Sequence, residues 1–154
     1  MSSRKIPKLQ IGDLEANLAI VQGGMGVGVS LSGLASAVAN EGGIGVIAAT
    51  GIGMFEPDLN TNFKEANKRA LRKEIKRARE MTKGVIGVNI MVALSDFDEL
   101  VEASVDEGVD LIFLGAGLAL RNPIIASLDT SRKGTTKVVP IVSSARAAKL
   151  IFQY

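Results

Sequence analysis

The chain has 154 residues, 47% of them hydrophobic and 22% charged, with a net charge of +2. That apolar content is enough for the core of one domain and excludes an intrinsically disordered chain. With no Cys and no His, it also excludes disulfides, Cys–His zinc sites and Cys or His catalysis by its own side chains.

The lack of Cys fits a reducing compartment, so a cytoplasmic location is the expectation. The leading "MSSRKIPK" is polar and lacks the apolar segment of a secretory signal. Residues 16–55 carry one charge, Glu41, which raises the question of a membrane segment. The glycines, Gln22, Ser30, Ser32, Ser36 and Asn40 interrupt that run, leaving no stretch of about 18 apolar residues. It reads instead as strands covered on both faces.

Residues 20–21 predict a first strand, followed by four glycines in six positions: Gly23, Gly24, Gly26 and Gly28. Ser32 is placed to cap a helix over 33–40, and Gly42 to end it in a left-handed turn. A second strand is expected at 44–48 and a loop from Gly51 past Pro57 and Asn60. Phe63, Ala66, Ala70, Glu74, Ala78 and Met81 recur at spacings of three and four, widened by Leu71 and Ile75. They predict a long helix stopping near Lys83-Gly84. "VIGVNIMV", 85–92, is the third strand. Ser95-Asp-Phe-Asp98 has the form of a capping box for a helix reaching Glu107, with Gly108 as its stop. "VDLIFL", 109–114, is the fourth strand and is followed by Gly115-Ala-Gly117. Pro123 opens a short helix at its first turn. Residues 137–142 form the fifth strand, and Ser143 or Ser144 caps a helix from Ala145 that reads as cut partway.

Strict β/α alternation predicts a parallel sheet with right-handed crossovers. Two architectures satisfy it: a five-stranded flavodoxin-like open sheet, or the first part of a (β/α)8 barrel of about 250 residues. Between Lys64 and Lys83 lie nine Lys/Arg and three Glu, a local charge of +6 that leaves the remainder at −4. No aromatic residue interleaves them, so the stretch reads as a solvated helix face rather than a nucleic-acid surface.

The glycine loop invites a nucleotide reading, which its spacing fails. G-x-G-x-x-G needs glycines at offsets zero, two and five. Position 29 is Val and position 31 is Leu, and no Lys-Ser/Thr pair follows as a P-loop requires. Gly43-Ile-Gly45-Val-Ile-Ala48 satisfies G-x-G-x-x-A but begins a strand instead of following one. What the loop offers is close backbone approach and bare N–H groups. Small or amide residues recur at the other strand ends: Thr50-Gly51, Asn89, Gly115-Ala-Gly117 and Ser143-Ser144. In parallel α/β folds that is the ligand-binding end, and such a row describes a floor for something flat. An amide in a strand, as at Asn89, needs up to four hydrogen bonds, which a ligand edge can satisfy.

"IVQGGMGVGVSLSGLASAVANEGGIGVIAATG", "GVNIMV" and "VPIVSSARAAKLI" resemble the nitronate monooxygenase (2-nitropropane dioxygenase-like) family, and are similar to the related FMN-dependent enoyl-ACP reductases. The resemblance implies an FMN-binding TIM barrel, of which residues 1–154 are the N-terminal part of a single domain with about five of eight strands. It implies that Gly23, Gly24 and Met25 lie along the flavin ring and that Asn89 hydrogen-bonds it. Gln22, Thr50, Gly115 and Ala116 would line the same mouth. The family's catalytic His and main phosphate loops fall beyond this chain, so no catalytic residue and no metal ligand is assigned.

The implied activity is oxidation of an alkyl nitronate with O2 to a carbonyl compound and nitrite. A reductase relative would instead pass hydride through FMN to an enoyl thioester. The implied partner is a small-molecule substrate, with no nucleic acid and no membrane. The chain would be a homo-oligomer or pair with its C-terminal half. A non-catalytic fragment and a self-contained flavodoxin-like binding module are the competing readings. The latter requires the first strand to be internal to the sheet.

Overall fold

The computed structural model describes residues 6–118, 123–130 and 136–153 of the chain. The start of the polar leader and the segment between Gly117 and Pro123 fall partly outside them. The chain begins with a hairpin of β1 (Leu9–Ile11) and β2 (Leu14–Ala16), followed by α1 (Ser32–Asn40), β3 (Ile44–Ala48), α2 (Phe63–Met81) and β4 (Val85–Met91). It continues with α3 (Phe97–Asp106), β5 (Leu111–Gly115), α4 (Pro123–Thr130), β6 (Lys137–Pro140) and α5 (Ala145–Ile151).

The second to fifth predicted strands all form, and their order in the sheet is β3-β4-β5-β6, every pair parallel. The first predicted strand is reduced to one parallel bridge, Val21 to Ile44, on the outer edge of β3. Chain order and sheet order therefore coincide. That is the order of consecutive strands in a (β/α)8 barrel. A flavodoxin-like sheet would place the first strand inside, whereas Ile20 and Val21 sit exposed at the edge. The fold is a parallel α/β partial barrel.

Alternation along each strand separates two apolar faces. Ile47, Ile86, Val88, Ile90, Ile112 and Leu114 point toward the helices, where Ala35, Leu71, Ile75, Ala78, Leu100 and Val101 bury them. Gly45 faces the same way, because α1 crosses so closely that a Cβ there would lie 1.9 Å from the Ala35 carbonyl oxygen. Ile44, Val46, Leu111 and Phe113 point to the opposite, inner face. The hairpin covers the lower end of that face with Leu9, Ile11, Leu14 and Ala16, and Asp13 in its turn pairs with Lys137 of β6. Sequence reading missed this hairpin. Gly12, with φ +61°, makes the two-residue turn with Asp13.

Helix ends follow the expected glycines. Gly42 (φ +90°) and Gly108 (φ +68°) are left-handed. The bonds Gly43 N–H to Val38 and Gly42 N–H to Ala39, repeated as Val109 to Ser104 and Gly108 to Val105, are Schellman closures. Two expected caps are corrected. Ser32 is the first residue of α1 and not its cap; its N–H donates to Glu74 Oε2 of α2 at 2.8 Å. Ser95 does not cap α3, whose N-cap is Asp96, with no side-chain capping bond. Ser144 does cap α5, accepting from the Ala147 N–H at 3.2 Å.

The basic face of α2 is largely tied to acidic neighbours. Lys64 pairs with Glu99, Arg72 with Asp106 and Glu107, Arg69 with Glu56 and Asp58, and Arg79 with Asp110. Among the described residues no helix is long and apolar enough to cross a membrane.

Candidate functional site

The glycine loop leaves the sheet after Gln22 and passes over the upper end of the inner face. Its departure is made by side chains. Gln22 Oε1 accepts from the Val46 N–H at 3.2 Å, and Gln22 Nε2 donates to the Val46 carbonyl at 3.1 Å. The amide of Gln22 thus pairs with β3 as a strand peptide would. Gln22 Nε2 also donates to Ser30 Oγ, which in turn accepts the Met25 N–H at 2.9 Å. Ser30 is 1% exposed, and its main chain bonds Met25 on one side and Ala48 on the other.

Held this way, Gly23 and Gly24 form a ledge. None of their backbone N–H and C=O groups has a hydrogen-bond partner among the described residues. A Cβ on Gly23 would meet nothing within 4 Å. Gly24, by contrast, lies directly on the strands: a Cβ there would fall 2.7 Å from Asn89 Cβ and 3.3 Å from Val46 Cγ1. One glycine is required for close packing downward, and its neighbour presents open space above.

Asn89 is half-buried beside this ledge, on the inner face of β4. Its amide nitrogen reaches the Phe113 carbonyl only at 3.5 Å, and its side-chain oxygen has no partner among the described residues. Every fully buried side-chain polar atom among those residues is satisfied, so Asn89 has spare hydrogen-bonding capacity at the mouth. Beneath it, Gly87 leaves room for the Phe113 ring, whose Cε2 would lie 2.6 Å from a Cβ at that position. The floor is therefore aromatic and apolar.

The other expected residues converge on the same end of the sheet. Thr50 touches the loop at Gly26, where a Cβ would lie 3.0 Å from the Thr50 carbonyl, and that carbonyl accepts the Val27 N–H. A Cβ on Gly115 would be 3.9 Å from Asn89 Nδ2. Ala116 is left-handed at φ +53° and exposed, while Met25 is 63% exposed on the loop. The structure thus gathers Gly24, Asn89, Thr50 and Gly115, and turns the Gln22 amide toward β3.

Ser30 and Val27 were not foreseen. Val27 is a β-branched residue at φ +52°, a conformation such residues rarely adopt. Strain of this kind concentrates at functional sites, and its sequence signal, a Val between two glycines, is slight. Ile141 Cδ1 also approaches Gly115, at 3.5 Å from a Cβ there.

None of the gathered residues is ionisable. The site can hold a flat ligand by peptide and amide hydrogen bonds, and its own side chains transfer no proton. Among the described residues no group of three or more His, Cys, Asp or Glu could hold a metal ion.

The sequence model of the nitronate monooxygenase family matches residues 9–105, more than half of the chain, and that span includes Gln22 to Met25, Thr50 and Asn89. No curated protein matches. Among solved structures, FabK from Thermotoga maritima is 32% identical with a TM-score of 0.65, covering 86% of this chain and 36% of that one. A nitroalkane oxidase from Streptomyces ansochromogenes is 21% identical with a TM-score of 0.70, covering 90% of this chain and 44% of that one. The second likeness is one of fold alone. This chain spans less than half the length of either structure.

Proposed function

Because the chain belongs to the nitronate monooxygenase family, we propose that residues 1–154 supply the ring-binding part of an FMN site in a barrel oxidoreductase that oxidises alkyl nitronates. The carrying observation is the Gly23-Gly24 ledge. Among the described residues its peptide groups lack partners, its upper side is open, and the under-bonded Asn89 amide stands next to it. Those features fit the edge and face of an isoalloxazine ring, which needs close backbone approach and hydrogen bonds to its carbonyl and nitrogen edge.

FMN supplies, when bound, an electron acceptor for an alkyl nitronate, which with O2 yields a carbonyl compound and nitrite. This chain's residues bind and orient. Gly23 and Gly24 offer main-chain donors, Asn89 an amide, and Met25, Thr50, Gly115 and Ala116 line the mouth. Val46, Leu111 and Phe113 keep water from below. The role of these residues is to bind and orient; none of the gathered side chains supplies a base for the reaction.

FMN-dependent enoyl-ACP reduction is the second reading, favoured by the higher identity to FabK, 32% against 21% for the nitroalkane oxidase. One experiment separates them. The FMN-loaded protein is mixed without oxygen with propyl-2-nitronate or with a reduced nicotinamide, and the visible flavin band is followed. Bleaching by the nitronate, with nitrite released once air is admitted, supports nitronate oxidation. Bleaching by the nicotinamide alone overturns it in favour of the reductase.

A further inference from the structure

The Gln22 amide does what a strand residue's peptide ordinarily does. At most parallel edges, the chain that pairs with a strand continues along it and satisfies its N–H and C=O groups with main chain. Here main-chain pairing stops after the Gln22 N–H bonds the Ile44 carbonyl at 3.0 Å. The next groups of β3, the N–H and C=O of Val46, are taken by the Gln22 side chain. That substitution releases from the ladder the Gln22 carbonyl and the Gly24 N–H, which continued parallel pairing with Val46 would have used. The far end of the loop is then fixed by Ser30, whose Oγ joins the Gln22 amide to the Met25 N–H. The ledge is thus clasped on both sides by two side chains. Its own polar groups stay uncommitted.

We infer that Gln22 and Ser30 are positioning residues for the ring-binding ledge: their side-chain clasp fixes Gly23 and Gly24 at the height where unpartnered peptide groups meet a flavin. The inference rests on the flavin reading of the site and departs from the expectation that Gln22 itself lines the ligand. Ser30 is buried and approaches no open space, so its role runs entirely through Met25 and Gln22.

The test uses Ser30→Ala and Gln22→Glu with two readouts. The first needs no flavin: amide hydrogen exchange of Met25 in Ser30→Ala, and of Val46 in a Gln22→Ala variant made for this readout. Loss of the hydroxyl leaves the Met25 N–H without its acceptor. Gln22→Ala likewise leaves the Val46 N–H without its acceptor; the Gln22→Glu carboxylate can still accept from the Val46 N–H but cannot donate to the Val46 carbonyl or Ser30, so it serves the second readout. Exchange is expected to rise by about tenfold or more at these amides, with the far-ultraviolet circular dichroism unchanged. Wild-type exchange rates in Ser30→Ala and Gln22→Ala overturn the clasp.

The second readout is FMN affinity from the visible spectrum. A drop of about tenfold or more is expected in Ser30→Ala and Gln22→Glu. In Gln22→Glu it should recover as pH falls from about 7 through about 4.3, where the carboxyl regains a proton to donate. A merely structural role would not produce that recovery. Unaltered FMN affinity alongside faster exchange overturns the positioning role. Failure of the wild-type protein to bind FMN is seen without any variant and overturns the flavin reading itself, together with the role built on it.

Discussion

Gly23→Ala separates folding from ligand binding more cleanly than any other single change in the loop. Among the described residues a Cβ at Gly23 meets no atom within 4 Å, and Gly23 does not have a left-handed φ. Alanine is therefore compatible with the folded backbone. It also removes conformational freedom from the unfolded chain, which stabilises by about 0.4–1 kcal/mol, or about 1–4 °C in Tm for a chain of this size. The same methyl enters the open space assigned to the flavin ring. Forcing one carbon into a packed contact costs about 1–3 kcal/mol, which is about a 5- to 150-fold loss of FMN affinity.

Gly33 is the control. Among the described residues it too has nothing within 4 Å of a Cβ, and it lies in α1, outside the glycine loop. Gly33→Ala should gain stability by about 1 kcal/mol or less from helix propensity and bind FMN as the wild type does. The assay is a thermal melt paired with an FMN titration of all three proteins. Gly23→Ala that is more stable and still binds FMN at wild-type strength would refute the placement of the ring over Gly23. A Gly23→Ala protein with a lowered Tm would refute the open space itself.

Three further outcomes follow from the packing. Gly45→Ala drives a Cβ against the Ala35 backbone, with both partners in regular structure, and should destabilise by about 1–3 kcal/mol or more, read as a lowered denaturant midpoint. Asn67→Ala removes the acceptor of the Gly53 N–H at 2.9 Å and the donor to the buried Asp96 carboxylate at 2.7 Å. It should cost about 1–3 kcal/mol and increase protease cleavage in the loop 51–58. Hydrogen bonding from Lys64 lowers the pKa of Glu99, and hydrogen bonding from Arg69 lowers that of Asp58. A carboxylate with a folded pKa below its unfolded value contributes stability above the unfolded pKa, and that stability is lost as pH falls through the folded pKa. Stability should therefore fall on acidification below about pH 4.5, less steeply in a Glu99→Gln, Asp58→Asn double variant. Equal acid slopes in variant and wild type would contradict those pairings.

How much was legible depended on how far apart the interacting groups lie. Four strands and the main helices followed from apolar runs and three-to-four spacing, because both are set by local burial. Gly42 and Gly108 marked helix ends since a left-handed residue is a local requirement. The caps at Ser32 and Ser95 misled for the opposite reason. The N–H of Ser32 is satisfied by Glu74, forty-two positions later, which no local pattern encodes. The hairpin of β1 and β2 escaped notice because each strand has only three residues, too few to show alternation, although Gly12-Asp13 was its turn signal.

At the site, the glycines and Asn89 stood out by composition. The pairing of the Gln22 amide with Val46 did not, since it depends on which strand edge lies alongside. The dinucleotide-like Gly43–Ala48 match dissolves for a physical reason: those residues are largely strand β3, with Gly45 packed against α1 and unable to approach a phosphate.

The most direct test of a flavin-binding ledge is titration of the purified protein with FMN, followed through the visible flavin bands, for the wild type and for Asn89→Ala. Saturable perturbation of the bands in the wild type, with affinity reduced about 10-fold or more in Asn89→Ala through loss of amide hydrogen bonds to the ring, is the predicted result. Bands that stay those of free FMN at high micromolar concentration, or equal affinity in the two proteins, would contradict it.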